Sequence, residues 1–459
     1  MTKNFIKSFS VYGLFGKDDV HIPFDENIKI LIGENGIGKT QVLSIFYYTL
    51  TGDYLKLTEF PFYKVELIFG DKQISLSKEE IIKHLEKIYK TPAIKEIIDT
   101  IGISKFEAFK NEVERLPWSR VRNLLENHPV YSQIANITNE DSILDILRRK
   151  RLFSSKSEQK KDKLPYNITD FSEKVEDFFG DNIILYFPTF RRVEEDLHNL
   201  GYDEDRFIFS REDNRLIHFG MDDVQKRFNF IEKKIDLLLK EGFTKISSEI
   251  LTKLITGFGN TDKEILDKIN ETDIDIMLAR VGEQIADTEK DKIREIVLDK
   301  KVSSTDNSLF YFIQALVDIY EQQKEFDDSI NKFKEVCNNY LIGKKVIYDE
   351  SNIKIYIKSD NSDKPIELNK LSSGEKQIIS IFSKIYLSEE EQRFIILFDE
   401  PELSLSMPWQ KKLLPDILAS EKCDFLLAVT HSPFIFDNEL DRYAVGLNEY
   451  IQPQEKATV

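Results

Sequence analysis

Residues 5–32 alternate polar and apolar positions around Gly13 and Gly16, the pattern of an antiparallel hairpin that feeds a strand at Ile28 to Ile32. A helix is predicted from Lys39 to about Leu50. Tyr63, Val65, Leu67 and Phe69 alternate up to Gly70-Asp71, and Gln73 to Leu76 answers them as a second hairpin. From Ser77 to about Gly180 the period becomes helical and charges are dense, with Ile81, Ile82, Leu85 and Ile88 on one buried stripe. Ile183 to Phe187 is a short continuous apolar run, expected of a central parallel strand buried on both faces. Residues 221–340 read as mostly helical again, through Phe230-Ile231, Lys234-Ile235 and Leu238-Leu239. Gly242, Gly257, Gly259-Asn260 and Asn270 are expected to interrupt them, giving short bundles and no long rod. Val346 to Tyr348 and Ile353 to Ile357 restore strand character. No internal repeat is visible.

Composition narrows the class. At 459 residues the chain accommodates two or three compact units, taking roughly 150 residues per domain. Its 41% hydrophobic and 32% charged residues suit a soluble protein. A net charge of -17 argues against a protein coated in nucleic acid, so any DNA contact must be local. The two cysteines, Cys337 and Cys423, stand in unrelated contexts and imply neither a disulfide framework nor a CxxC metal site. No apolar run reaches the roughly 18 residues of a membrane helix. The N-terminus leads straight into strand pattern and not into a signal peptide. A cytoplasmic protein without membrane contact is expected.

Four short motifs carry the chemistry. Gly33-Glu34-Asn35-Gly36-Ile37-Gly38-Lys39-Thr40 fits GxxxxGK[ST], with a strand before it and a helix after. Its glycines, with Asn35, Gly36, Gly38 and Gln41, are expected to line ATP phosphates with backbone N–H groups, aided by the helix dipole. Lys39 supplies a charge to those phosphates, and Thr40 a hydroxyl to Mg²⁺. Phe394 to Phe398 runs into Asp399-Glu400, where a strand end presents one carboxylate to orient the metal and a second to polarise water. Pro401 stops the strand, and no role is assigned to Glu402. Phe425 to Thr430 runs into His431, which is placed to bond the γ-phosphate and keep Glu400 and water in register. Leu371 to Gln377 is an LSSGE-type signature, in which Ser372, Ser373, Gly374 and Glu375 open a helix from Glu375 to Tyr386 and form a second anion site. The bland alternatives are a chance Gly-rich turn, acidic strand-end residues, a surface histidine and a plain helix cap supplied by Ser373.

In order and type together they resemble the motifs of an ATP-binding-cassette ATPase. The fold class expected is α/β: a phosphate-loop head with a mixed sheet and an antiparallel N-terminal β-subdomain, split by large α-helical insertions. Residues 1–77 form its first part, 78–182 a helical insertion, 183–200 a return strand with an Arg-Arg segment, 201–340 a helical arm and 341–459 the second part. One chain cannot easily bring its signature onto its own phosphate loop. ATP is therefore expected to join a head-to-tail dimer at minimum, with the insertions adding contacts for a larger assembly, a hexamer being the expected form.

Other features stay open. Arg191 and Arg192, in Pro188-Thr189-Phe190-Arg191-Arg192-Val193-Glu194, either touch phosphates or an interface, or pair with Glu194, Glu195 and Asp196. Residues 148–163 gather Arg148, Arg149, Lys150, Arg151, Lys156, Lys160, Lys161 and Lys163, read either as a DNA or acidic-partner contact or as a solvated loop. Asp273-Ile274-Asp275 lacks the surroundings of a nuclease site.

GENGIGKT, LSSGEKQ, LFDEPELSLSMPWQ and VTHSPFIF together resemble the SMC/RecF/OLD branch of cassette ATPases, over residues 1–76 and 341–435. With PTFRRVEEDL, the chain resembles the stand-alone ATPase subunits of bacterial anti-phage systems, most closely those of PARIS type and next those of Septu type. The resemblance implies a homo-oligomer that senses a phage-encoded trigger protein and controls a separate effector nuclease, of Toprim type in PARIS. It gives Lys39, Thr40, Asp399, Glu400, Ser373, Gly374 and His431 the roles above. No Q-loop glutamine matches, which leaves one metal contact unassigned, and no fused Toprim domain follows His431. The alternative is a RecF- or SMC-like repair ATPase acting directly on DNA.

Overall fold

The structure is a computed structural model that describes residues 6–34, 36–89, 166–180, 182–188, 220–258, 271–281, 286–298 and 307–453. Asn35, Arg191, Arg192 and the basic segment 148–163 lie outside the described residues.

Two sheets make the head. The first is antiparallel, built from β1 (Ser8–Leu14), β2 (Asp18–Pro23), β4 (Lys64–Phe69), β5 (Lys72–Ser77) and β13 (Ile451–Pro453), in the order β13-β2-β1-β4-β5. Val11 pairs with Val20 on one side and Val65 on the other, so the apolar phase of three strands falls on one buried face. The pairing of β1 with β2 shifts between Val11 and Leu14, and this irregularity needs Gly13, where φ is +68° and a Cβ would fall 2.0 Å from the Tyr63 ring.

The second sheet is parallel, with β3 (Ile28–Ile32), β6 (Ile183–Phe187), β10 (Phe394–Asp399), β11 (Cys423–Thr430) and β12 (Ala444–Gly446) in the order β12-β3-β11-β10-β6. Parallel strands covered on both faces need no polar alternation, and Phe394–Phe398 and Phe425–Val429 are apolar and buried throughout. The expectation for Ile183 to Phe187 needs correction. Among the described residues β6 pairs only with β10, so it is the sheet's edge and not a central strand. Its apolar run follows from burial by side chains: Tyr186 stacks on Tyr47 at 4.8 Å and Phe187 on Phe398 at 4.3 Å. A third, antiparallel sheet joins β7 (Lys344–Asp349), β8 (Lys354–Ser359) and β9 (Pro365–Ile366).

Helix Lys39–Thr51 lies between the two large sheets' shared core, where Phe46 packs on Phe9, Phe24 and Phe425. The arm contains helices Met221–Thr256 and Asn307–Asn338, which pack together, with Glu271–Arg280 and Asp287–Leu298 between them in sequence. Gly242 does not interrupt the first of these, contrary to expectation. Glycine inside a helix costs about 1 kcal/mol relative to alanine, but here it serves close packing: a Cβ at Gly242 would sit 2.5 Å from Ile319 Cδ1. Gly257, with φ +90°, does end that helix. Buried Arg280 ties the arm to the third sheet, donating to Asp327 at 2.7 Å, Gln323 at 2.8 Å and the Tyr348 hydroxyl at 3.2 Å. No helix among the described residues is long and apolar enough to cross a membrane.

Candidate nucleotide site

The phosphate loop leaves β3 and enters helix Lys39–Thr51. Gly36 and Gly38 have φ of +86° and +96°, left-handed conformations that let the chain fold back before the helix begins. Lys39 is almost completely buried. Its ammonium donates to the carbonyls of Gly33 at 2.7 Å and Glu34 at 3.0 Å, and lies 2.8 Å from His431 Nε2. Burial lowers the Lys39 pKa, while the carboxylates of Glu400, Asp399 and Glu402 pull it back up. Of the loop's other predicted residues, the buried side-chain oxygen of Gln41 has no hydrogen-bond partner among the described residues.

Thr40 Oγ1 donates to Asp399 Oδ1 at 2.8 Å. The sheet order explains the meeting. β3 neighbours β11, β11 neighbours β10, and all three run parallel, so the phosphate loop, His431 and Asp399 lie at the same, carboxyl-terminal end of the strands. A threonine hydroxyl beside an aspartate carboxylate is a set of hard oxygen donors that fits Mg²⁺.

Glu400 follows with φ of +52°, in the left-handed region although it carries a Cβ. Such backbone costs of order 1–3 kcal/mol and persists where surrounding contacts dictate it. Here its N–H donates to Val429 O at 2.9 Å, and Oε1 stands 3.5 Å from His431 Nε2. One imidazole nitrogen thus sits between the Lys39 ammonium and the Glu400 carboxylate.

Glu402, which had no assigned role, proves to hold the loop that bears His431. Its Oε1 accepts from the backbone N–H of His431 at 2.8 Å and of Ser432 at 3.2 Å, and its Oε2 accepts from Thr430 Oγ1 at 2.8 Å. The available signal was a second carboxylate just past the strand end, facing a Thr-His-Ser turn with donors to satisfy.

The signature helix spans Ser373–Tyr386. Its cap is Ser372 and not Ser373, because the Ser372 hydroxyl accepts from the Glu375 N–H while Glu375 reaches back to the Ser372 N–H at 2.8 Å. Lys344 also donates to Glu375, at 2.8 and 2.9 Å, and these bonds hold the buried carboxyl below its ordinary range against desolvation. Glu375, expected at the nucleotide, is thus spent on shaping the turn. Ser372 and Ser373 are left exposed. Gly374 packs so closely that a Cβ would lie 2.4 Å from the Ser404 carbonyl oxygen. No hydrogen bond joins the signature to Lys39, Thr40 or Gln41 among the described residues. The Asp273 and Asp275 carboxylates are engaged elsewhere, by Tyr320 at 2.9 Å and Arg294 at 2.7 Å.

Together these residues offer a cation and backbone donors for phosphate, an oxygen pair for a metal, and a carboxylate near a histidine for moving a proton. No curated protein matches the sequence. Among solved structures, a crystal structure of the SmcHead bound to the C-winged helix domain of ScpA aligns at 10% identity and TM-score 0.35, over 94% of this chain and 91% of that one. A second, the Smc head domain with an extended coiled coil bound to the C-terminal domain of ScpA derived from Pyrococcus furiosus, aligns at 13% identity and TM-score 0.37 with the same coverage of 94% and 91%. The site is read from its own geometry and not from these overlaps. Residues 5–436 match the model of the AAA ATPase domain family, and the chain belongs to that family.

Proposed function

We propose that this chain binds and hydrolyses ATP in a site completed by a second copy of itself, and that this ATPase acts as sensor and scaffold for a separate effector nuclease in bacterial anti-phage defence. The observation that supports the chemistry best is the convergence of Lys39, Thr40, Asp399, Glu400 and His431 at the carboxyl ends of adjacent parallel strands. Loop N–H groups and Lys39 bind the β- and γ-phosphates. Thr40 and Asp399 hold Mg²⁺, which supplies charge against the phosphate oxygens. Glu400 accepts a proton from the attacking water, and His431 keeps that carboxylate oriented. The exposed Ser372-Ser373 turn, remote from the hydrogen bonds of its own phosphate loop, suits the γ-phosphate of a partner's nucleotide.

The biological setting rests on the motif resemblance, with a Toprim-type effector and a phage-encoded trigger as the partners it implies. ATP turnover by the purified chain, compared with Lys39→Ala, tests the chemistry; no turnover and no binding by the unmodified chain overturns it. Plaque counts on cells carrying this gene with and without a Toprim-type nuclease gene from its own genome test the setting. Equal plaque counts in both overturn it.

A further inference from the structure

The loop after β10 does more than carry Glu400. Its six residues, Glu400 to Leu405, close on themselves through Leu403 N–H to Glu400 O at 3.2 Å and Leu405 N–H to Glu402 O at 3.1 Å. Glu400 and Ser404 both take positive φ without being glycine, at +52° and +67°. The result is a rigid turn that points Glu402 across to the end of β11. There its two carboxylate oxygens receive three donors from three consecutive residues: Thr430 Oγ1, His431 N–H and Ser432 N–H. Gln410 braces the same contact, accepting from Ser432 Oγ at 2.6 Å while donating to the carbonyls of Leu405 at 2.9 Å and Glu402 at 3.3 Å.

We propose that Glu402 is the positioning residue for His431: its carboxylate clamps the Thr430–Ser432 turn so that the imidazole is presented to Glu400 and to the γ-phosphate. The inference rests on the ATPase reading above. Its logic is one of valence. Two backbone N–H groups and a hydroxyl at a strand end need acceptors, and a carboxylate supplies two oxygens with several lone pairs in one rigid plane. All three donors are directed at it, so both carboxylate oxygens are engaged by the Thr430–Ser432 turn. A clamp rather than a base also explains why the side chain faces the backbone of residues 430–432, whereas the Glu400 carboxylate faces the imidazole.

The chemistry predicts an asymmetry between substitutions. Glutamine keeps one carbonyl oxygen for the His431 and Ser432 N–H groups, and its amide can donate to a rotated Thr430 hydroxyl. Alanine keeps nothing. Glu402→Ala is expected to lower kcat by about 10- to 100-fold, the range for misplacing a catalytic group through its support, with ATP affinity nearly unchanged. Glu402→Gln is expected to recover most of that loss. In a His431→Ala background, Glu402→Ala should add little further loss, because the group it positions is gone.

The test measures kcat and ATP affinity for these variants, with hydrogen–deuterium exchange at the His431 and Ser432 amides. Faster exchange there in Glu402→Ala, with β11 still protected, supports the clamp. Unchanged exchange overturns it. A Glu402→Gln variant as inactive as Glu402→Ala, or losses that multiply in the His431→Ala background, overturns the positioning role in favour of an independent one. Absence of turnover by the unmodified chain sinks the ATPase reading and the catalytic half of this proposal, while exchange alone still decides the clamp.

Discussion

Thr40 and Asp399 stand 359 positions apart and share a 2.8 Å hydrogen bond. That single contact closes the site, because it brings the first residues of helix Lys39–Thr51 onto the end of β10. It also holds the hydroxyl and the carboxylate side by side at the end of β10.

Lys39→Ala is expected to abolish ATP binding while leaving the fold intact. The ammonium's bonds go to loop carbonyls and His431, not to the core. Hydrogen bonds to charged groups contribute about 1.5–3 kcal/mol each, and losing those to phosphate leaves the loop with backbone donors alone. Titration calorimetry checks this, and unchanged affinity would refute the phosphate-loop assignment.

Glu400→Gln should bind ATP yet turn it over about 10²-fold more slowly or worse, the scale of general-base catalysis. The amide preserves shape and the 3.5 Å approach to His431 but does not take the water's proton. Unchanged steady-state turnover would move the base elsewhere, and the contacts of Glu402 make that residue a poor replacement.

Ser373→Arg and Lys39→Ala damage opposite halves of the proposed shared site. Each alone should be inactive, whereas a mixture forms one composite site free of both defects. Partial recovery of ATPase activity on mixing supports sites shared between chains. Mixed oligomers confirmed by mass but without recovery argue against simple pairing.

Gly242→Leu is expected to destabilise the arm by about 1–3 kcal/mol, the range for overpacking, since its Cβ would start 2.5 Å from Ile319 Cδ1. Adding Ile319→Ala should restore part of the loss. Chemical unfolding monitored by circular dichroism measures both; a Gly242→Leu variant as stable as the parent would show that the two helices separate easily.

What could be read in advance divides along physical lines. Phe394 to Glu400 announced itself, because a strand buried on both faces has no polar alternation and its first carboxylates mark where it ends. The adjacent serines hid the true cap, although the spacing Ser372 to Glu375 is that of a reciprocal capping pair. Strand order is a property of pairing between distant segments, so Ile183 to Phe187 looked central when it lies at the edge. Gly242 reads locally as a helix breaker; only the side chain of Ile319, far along the chain, reveals it as a contact surface. Glu402 showed itself only as a second carboxylate past a strand end, since its donors sit at and just past the end of another strand.

Gly374 against Ser404 has one more implication. The signature turn and the loop that carries Glu400 approach closely within a single chain, and on the proposed pairing they serve two different nucleotides. No side chain larger than glycine's fits between them. In a paired assembly, a change that tightens the grip on a partner's ATP would therefore also retune this chain's own rate of hydrolysis. On the proposed pairing, grip and clock are thus not independently adjustable, and an engineer wanting a slower timer with the same hold would have to change both surfaces at once.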